Sequence, residues 1–210
     1  MKRIFLLLFI FTMIFLSCTR TDKAYYKNGN TKHILNYKHD KLNGEQKWFY
    51  ENGNLQSVFN YNNGVPEGTA AEYNLNGTLK SESIFKAGKL NGTKKTYDSN
   101  ENLVSLETYE NDIKNGIYKQ WHRNGKPMIE GFFKDDQFDG KWRYFDQFGA
   151  VIGQGEFNRG SGKLTSWFPN GKIMRITNYK NSLKDGIELI YDKSGALTSE
   201  INYREGEILK

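Results

Sequence analysis

Apolar and polar residues alternate along several short segments of the chain. In residues 55–61, 79–85 and 197–203 every second residue is apolar, aromatic or small, and the residues between them are mostly polar. Successive side chains of a β-strand point to opposite faces, so a period of two predicts strands with one apolar face. Residues 4–16 differ, since they form an almost uninterrupted apolar run.

Aromatic residues recur in two columns with a period of 24 residues. The first column is Tyr25, Phe49, Tyr73, Tyr97, Trp121, Phe145, Trp167 and Tyr191. The second column is Tyr37, Tyr61, Phe85, Tyr109, Phe133, Phe157, Tyr179 and Tyr203. One step in each column is 22 residues, because the segment between Phe157 and Gly162 is two residues shorter than its equivalents. A period between about 20 and 50 residues predicts tandem structural repeats.

Glycines follow the same period and mark the predicted turns. One series lies four residues after the first aromatic column, usually behind an asparagine, and only Glu101 interrupts it. Asn-Gly favours the positive φ angles of a type I′ hairpin turn, so we expect such turns here and a costlier or different turn at Asn100-Glu101. A second series begins the first strand of each unit: Gly44, Gly68, Gly92, Gly116, Gly140, Gly162 and Gly186.

Consecutive hairpins joined by short turns predict an all-β fold. The expected architecture is a single-layer antiparallel meander of about eight tandem 24-residue β-hairpin repeats, elongated and curved, over residues 25–210. Each unit supplies two of sixteen expected strands and depends on its neighbours for stability. Nothing in the sequence marks a second domain.

The recurring motif is an aromatic residue, two variable residues, Asn-Gly, one variable residue and Leu, followed by an aromatic residue and two spaced glycines. Phe49 to Leu55 with Tyr61, Gly64 and Gly68 is one example. This motif resembles the bacterial variant of the MORN repeat, found in proteins often described as antitoxins of toxin–antitoxin systems. The resemblance covers nearly all of the chain after the apolar run. It implies an array of β-hairpins used for protein association or membrane-proximal scaffolding.

The N-terminus has the layout of a secretory signal. Lys2 and Arg3 precede the apolar run, and Ser17 and Cys18 follow it. The run of 13 residues is shorter than the roughly 20 residues of a transmembrane helix. Residues 15–18, Phe-Leu-Ser-Cys, resemble the lipobox of bacterial lipoproteins. The resemblance implies that residues 1–17 are cleaved as a signal peptide, that Cys18 carries a diacylglyceryl and an N-acyl group, and that residues 18–24 form the lipidated cysteine and a tether.

An acylated cysteine places the chain in the cell envelope, exported from the cytoplasm. In one bacterial group, an Asp two residues after a cleavage site of this kind retains lipoproteins at the inner membrane. Arg20 stands close to Cys18 instead of an acidic residue, which favours the outer membrane. Because Cys18 is the single cysteine, no internal disulfide is expected.

Charge and chemistry-bearing residues narrow the function further. The formal net charge is +6, and residues 18–210 carry +4 from 28 basic and 24 acidic side chains. Such a mild, dispersed charge does not predict nucleic-acid binding. His33, His39 and His122 lack metal-ligand spacing, and no Gly-x-Ser-x-Gly elbow is present. We therefore expect a protein that is not an enzyme, with no metal and no cofactor apart from the acyl groups.

Two sets of side chains are candidates for contact with a partner. Basic residues lie two positions before the first aromatic column and on its face: Lys47, Lys95, Lys119 and Arg143. They form either a groove for an anionic or sugar-bearing partner or a cover of aliphatic stems over aromatic rings. Aromatic residues off the columns lie on the opposite face of the first strands: Trp48, Tyr118, Trp142 and Tyr144. Since the columns are expected to form the core, we expect these four to be the better contact residues.

The sequence thus predicts a membrane-anchored lipoprotein that acts as a non-catalytic protein-interaction scaffold. Immunity to a toxin is a special case of this interpretation. The alternative is a cell-wall module that binds glycan or peptidoglycan, because Trp and Tyr before Asn-Gly resemble choline-binding and related cell-wall repeats. Those repeats are shorter and richer in paired Trp than this chain, which has four Trp.

Overall fold

The computed structural model describes residues 18–209, so the predicted signal peptide at residues 1–17 lies outside the described residues. In this part of the chain all regular elements are β-strands. They are β1 (Thr19–Tyr25), β2 (Thr31–Lys38), β3 (Lys41–Leu42), β4 (Gly44–Phe49), β5 (Leu55–Asn62), β6 (Val65–Tyr73), β7 (Leu79–Lys86), β8 (Lys89–Tyr97), β9 (Leu103–Glu110), β10 (Ile113–Trp121), β11 (Pro127–Lys134), β12 (Gln137–Phe145), β13 (Val151–Asn158), β14 (Ser161–Trp167), β15 (Ile173–Lys180), β16 (Leu183–Lys184), β17 (Gly186–Tyr191), β18 (Leu197–Arg204) and β19 (Glu207–Ile208).

The strands form one open antiparallel meander, which confirms the predicted fold class. Sixteen strands have six to nine residues, and β3, β16 and β19 have two residues each. Each long strand pairs with its neighbours along the chain. Within the described residues β1 pairs only with β2, and β19 pairs only with β18, so the two ends of the sheet do not meet.

The turns of the sheet fall into two rows, and the prediction of type I′ turns at Asn-Gly is wrong. Phe49 pairs with Leu55, which leaves a loop of five residues rather than two. In this loop only Gly53 has a positive φ, of 90°. Type I′ geometry occurs in the other row, where both residues of each two-residue turn have a positive φ, such as Asn63 (49°) and Gly64 (86°).

The second glycine series marks β-bulges. The register between β9 and β10 shifts between Lys114 and Tyr118, and Gly116 lies in this bulge with a φ of 133°. The unit with the 22-residue step has no such bulge, because β13 and β14 pair without a register shift and Gly162 has no positive φ. The two residues that this unit lacks are therefore the bulge residues.

The two faces of the sheet differ in burial and charge. We call one face the core face: it carries the second aromatic column and most of the buried side chains, among them Ala70, Ser81, Trp142, Phe157 and Thr177. We call the other the charged face: it carries the basic column, which consists of Lys47, Lys95, Lys119 and Arg143, and the carboxylates that these residues contact. The first aromatic column extends to the charged face, where the Tyr97 hydroxyl donates to Glu82 and Arg143 lies over the ring of Phe145.

One repeat position, two residues after the second glycine series, is the most deeply buried. Its occupants are Gln46, Ala70, Lys94, Tyr118, Trp142, Leu164 and Glu188. Gln46, Trp142 and Glu188 are only 0%, 2% and 2% exposed. The Gln46 amide accepts a hydrogen bond from the Asn36 N–H (2.6 Å) and donates to the Asn36 carbonyl (3.0 Å). It thereby satisfies backbone groups that the bulge removes from the strand ladder.

In four of the units, the asparagine of the Asn-Gly turn donates a hydrogen bond to the next unit. The Asn28 amide donates to the Glu51 carbonyl (2.7 Å), and Asn52 donates to Leu75 in the same way (2.9 Å). Later units repeat this contact through Asn124 and Asn170. The asparagine therefore bonds between units as well as within its turn, a role that the turn motif did not predict.

The segment predicted to be a tether belongs to the sheet. Residues 19–25 form β1, which pairs with β2 from Thr19 opposite Lys38 to Tyr25 opposite Thr31. A hydrogen bond from Thr21 Oγ1 to Asn36 Oδ1 (2.7 Å) supports this pairing. Residues 19–24 are therefore part of the sheet and not a separate tether. Residues 18–209 contain no helix that is long and apolar enough to cross a membrane.

Candidate functional site

The four basic candidates lie on the charged face, and each stands beside a carboxylate. Their side chains are 38–45% exposed. Lys47 contacts Glu45 (2.7 Å), Lys95 contacts Glu82 (3.8 Å), and both Lys119 (3.5 Å) and Arg143 (2.6 Å) contact Glu130. The structure thus joins Lys119 to Arg143 through one carboxylate, whereas Lys47 and Lys95 flank a separate depression.

That depression, the charged-face hollow, exists because the small residue Ala71 takes the place of a basic residue between Lys47 and Lys95. Its volume is about 560 Å³. Apolar side chains of Leu55, Val58 and Ile84 line it, and Glu45 and Glu82 lie at its border beside the two lysines. The hollow therefore combines an apolar surface with charges of both signs.

A second feature of the charged face is an exposed apolar pair, the Ile117–Phe132 patch. The two residues are cross-strand neighbours in β10 and β11, and they are 51% and 39% exposed. Lys119, Glu130 and Arg143 surround them. The sequence reasoning did not single out this pair. The available signal was the occurrence of Ile117 and Phe132 at positions where strand alternation calls for polar residues.

The off-column aromatics occupy the core face, and the prediction that Trp142 contacts a partner has to be revised. Trp142 is 2% exposed and packs against Tyr118 (ring centroids 5.5 Å), Phe133 (5.1 Å) and Phe138 (4.5 Å). Its side chain lies on the same face as the second aromatic column, so the cluster buries it. Tyr118 and Tyr144 belong to this cluster and are partly buried.

Trp48, in contrast, borders an open depression that we call the core-face hollow. The hollow has a volume of about 430 Å³ and is lined by Trp48, Tyr50, Phe59, Tyr61 and Tyr73, with Glu72 and Lys80 among its polar groups. The small residue Ser57 also lines this hollow and leaves space between the rings. Of the four off-column aromatics, Trp48 lines this hollow.

The tyrosines near these surfaces are held in the protonated form. Burial, assisted by the Glu82 carboxylate that accepts its hydrogen bond, raises the pKa of Tyr97 to about 12. Burial in the Trp142 cluster raises the pKa of Tyr144 to about 12. Both hydroxyls therefore stay protonated near neutral pH, and that of Tyr97 donates a hydrogen bond to Glu82.

The remaining candidate groups are dispersed. Cys18 is exposed at the start of β1. His33 stands beside Asp22 (3.4 Å), and His122 Nε2 lies 3.0 Å from the Phe145 carbonyl oxygen. Among residues 18–209, no three His, Cys, Asp or Glu side chains come together in a way that could hold a metal ion.

Comparisons with known proteins bear on the family. No curated protein sequence matches the chain. A crystal structure of TcdB2–TccC3–Cdc42 aligns with 83% of this chain at 12% identity and a TM-score of 0.25. A mutant Tc holotoxin pore of Photorhabdus luminescens aligns with 90% at 12% identity and a TM-score of 0.24. In both cases the chain spans only 12% of the matched chain.

The model of the MORN repeat variant matches six segments, residues 42–63, 66–87, 90–111, 114–135, 161–181 and 184–205. Together they cover more than half of the chain, and their boundaries follow the units of the sheet. The chain therefore belongs to the MORN repeat variant family.

Proposed function

We propose that this protein is a lipid-anchored, non-catalytic scaffold that binds a protein partner through its charged face. MORN repeats are in general modules of protein or membrane interaction. The observation that carries the proposal is the Ile117–Phe132 patch, an exposed apolar pair next to the ion pairs of Glu130.

The patch has an apolar centre and a charged rim, as many protein-binding surfaces do. Apolar contact at the centre of an interface supplies affinity, and charged groups at the rim supply orientation and specificity. Ile117 and Phe132 provide the apolar centre, and Lys119, Arg143 and Glu130 provide a rim of both signs. The charged-face hollow between Lys47 and Lys95 offers a second contact of the same kind one to three units away.

A matched pair of variants tests the partner contact. Ile117→Ser removes the centre of the patch, whereas Ile187→Ser changes the same repeat position in the last unit, where Ile187 is 47% exposed. Both are surface changes, so both proteins should fold. In-cell crosslinking, affinity purification and mass spectrometry should recover one protein partner with the unaltered chain and with Ile187→Ser. Recovery should fall about tenfold with Ile117→Ser. Equal recovery with all three chains would contradict the proposed surface.

A second pair of variants tests the anchor. Cys18→Ser removes the only thiol of the chain, and Thr19→Ser is a similar change one residue later. Metabolic labelling with a fatty-acid analogue should mark the unaltered chain and Thr19→Ser but leave Cys18→Ser unlabelled. Continued acyl labelling of Cys18→Ser would refute the anchor.

The core-face hollow favours a second candidate function, binding of cell-wall glycan. Aromatic rings beside carboxylate, ammonium and amide groups suit a sugar, which has apolar ring faces and many hydroxyls. Trp48→Ala should weaken co-sedimentation with isolated sacculi if this function holds. Phe148→Ala is the control, because Phe148 is 75% exposed and lies outside the hollow. Sedimentation that is the same for both variants and the unaltered chain would reject the glycan site.

A further inference from the structure

The net positive charge of residues 18–210 is concentrated in the first unit. Residues 18–41 carry six basic and two acidic side chains, whereas residues 42–210 carry 22 of each. The first unit therefore has a net charge of +4, and the remainder is neutral. The repeat itself does not require this charge, since the positions of Lys27 and Lys41 are occupied by Glu51 and Val65 in the next unit.

Part of this charge lies at the same edge of the sheet as Cys18. The Cys18 carbonyl accepts a hydrogen bond from the N–H of His39 (3.0 Å), so Cys18 lies beside the two-residue turn between β2 and β3. Lys38 and Lys41 pair with each other across that turn. An acyl group on Cys18 and two lysines thus occupy one corner of the sheet.

Arg20 adds a third basic group to this corner. Its guanidinium lies 4.1 Å from the centre of the Tyr37 ring, which fixes the side chain on β2. Asp40 balances part of the charge, with Arg20 Nε 3.8 Å from the Asp40 carboxylate. The corner thus carries three basic side chains against one acidic side chain, and Arg20 and Asp40 are both exposed.

The anchor leaves this corner little freedom to move away from a membrane. β1 begins at Thr19, so only Cys18 separates the acyl chains from the sheet. One residue spans roughly 3.5 Å at most. Charges interact across about 8 Å at physiological ionic strength. The basic groups beside Cys18 therefore lie within electrostatic reach of lipid headgroups.

The same row of turns becomes acidic farther along the array. In its fourth and fifth units, the turns and the residues that flank them carry Glu110, Asp112, Asp135 and Asp136 against one lysine, Lys134. With strands about 4.8 Å apart, these groups lie roughly 40 Å from β1 along the sheet. An anionic surface attracts the first unit and repels this acidic stretch.

We propose that residues 18–41 form a membrane-contact surface that binds anionic phospholipid headgroups and makes the array stand on its first unit. The inference rests on the proposed acyl anchor. Such an orientation leaves the Ile117–Phe132 patch accessible to a partner away from the membrane.

Lysine reactivity within one molecule tests the inference. The acylated protein, purified from bacterial membranes, is placed on vesicles of phosphatidylcholine alone or mixed with phosphatidylglycerol. Acetylation rates of Lys38 and Lys41 are then read by mass spectrometry against Lys86 and Lys89, which pair across the equivalent turn of the third unit. Lys38 and Lys41 should react about fivefold more slowly on the anionic vesicles. Lys86 and Lys89 should not change, and added salt should abolish the difference.

Variants keep the test specific. Lys38→Gln with Lys41→Gln should remove the vesicle-dependent slowing of Lys23, a third lysine of the first unit, whereas Lys86→Gln with Lys89→Gln should leave it intact. Equal rates on both vesicles for all lysines, or equal slowing at the first and third units, would overturn the inference. Flotation with neutral vesicles reports the acyl anchor separately. If the chain does not float with neutral vesicles, the acyl anchor is refuted. Sedimentation of that chain with anionic but not with neutral vesicles would still support the membrane-contact surface of residues 18–41, and equal sedimentation with both would overturn it.

Discussion

The core face is filled in two different ways along the array. At β10–β15, the buried position is taken by Trp142, and the ring lies on Gly131, where a Cβ atom would come within 2.4 Å of it. Phe157 lies on Gly155 in a similar way. At β4–β7, the equivalent positions are Gln46 and Ala70, and the core-face hollow remains open between other residues of these strands, among them Trp48 and Phe59.

The difference shows that the repeat frame does not depend on one kind of core. Gln46 is stabilised by hydrogen bonds to Asn36, whereas Trp142 is stabilised by ring contacts and by the space that glycines leave. The segments matched by the family model leave out residues 136–160, which include Trp142 and Phe157. Within the matched span of residues 42–205, the unit that departs from the family motif is therefore the one with the densest aromatic packing. The open hollow lies in units that keep the motif.

The largest expected loss of stability comes from removing the Trp142 ring, which distinguishes the packing at β10–β15 from that at β4–β7. Trp142→Ala should lower the free energy of unfolding by about 3–5 kcal/mol, because it deletes a buried aromatic side chain and leaves a cavity. Trp48→Ala, at the border of the core-face hollow, should cost about 1–2 kcal/mol because Trp48 is only partly buried. Urea unfolding followed by tryptophan fluorescence and circular dichroism measures both. Equal losses would show that the two regions are packed alike.

Gly131, which lies beneath the Trp142 ring, should contribute nearly as much to stability as the ring itself. Gly131→Ala should cost about 2–3 kcal/mol, because the new methyl group overlaps the indole. In a Trp142→Ala background the same change should cost less than about 1 kcal/mol, since the methyl group then fills part of the cavity. This double-mutant cycle measures the contact itself. Additive losses would mean that Gly131 is required by its backbone rather than by Trp142.

At Glu188 the same deeply buried repeat position is occupied by a carboxylate. Its contribution to the free energy of unfolding should therefore depend on pH. The Glu188 carboxylate accepts hydrogen bonds from Lys184 Nζ (2.8 Å) and Thr177 Oγ1 (2.8 Å). Burial alone would raise the pKa of Glu188, but these hydrogen bonds outweigh it and hold the pKa below its ordinary value of 4.5. A lowered folded-state pKa means that the carboxylate stabilises the fold above the unfolded-state pKa. That contribution is lost as the pH falls through the folded-state pKa.

Glu188→Gln should therefore cost about 2 kcal/mol at neutral pH. The difference from the unaltered chain should shrink as the pH is lowered below 4.5. Glu200→Gln, at an exposed position of β18, should have little effect at either pH. Unfolding curves across this pH range test the expectation, and a constant difference would show that Glu188 acts through shape rather than charge.

The sequence was sufficient to predict the strands, the units and their period, because alternation and registered aromatics are properties of local sequence. It did not predict which face is buried. Trp142 was expected to be exposed because it lies off both columns, yet the second column shares its face and encloses it. Gln46 and Glu188 were not predicted to be buried for a related reason. A polar residue on a strand gives no sign that the Asn36 backbone will satisfy Gln46, or that the Thr177 and Lys184 side chains will satisfy Glu188.

The sequence predicted that type I′ turns occur, but it did not predict which of the two rows of turns has that geometry. Asn-Gly pairs suit several hairpin loops, and the choice among them depends on strand register, which the motif does not contain. The true type I′ turns include His39-Asp40 and Asp135-Asp136, whose residues do not stand out as a turn pair of this type. The basic column was placed on the correct face relative to Tyr97 and Phe145, because these residues lie on the same strands.

The smallest expected effect concerns the one Asn-Gly turn that lacks its glycine. Glu101 has a φ of 61°, and its N–H donates to the Asp98 carbonyl (3.0 Å) as Gly77 does to Asn74 (2.9 Å), so the turn keeps the common geometry. A non-glycine residue in this conformation costs about 1–2 kcal/mol. The Glu101 carboxylate recovers part of that by accepting a hydrogen bond from the N–H of Leu79 (2.8 Å), which water can replace. Glu101→Gly should therefore raise the unfolding free energy by about 0.5–1 kcal/mol. Glu51→Gly, in an ordinary unit, should lower it slightly, and a loss of stability in Glu101→Gly would show that the bond to Leu79 outweighs the backbone strain.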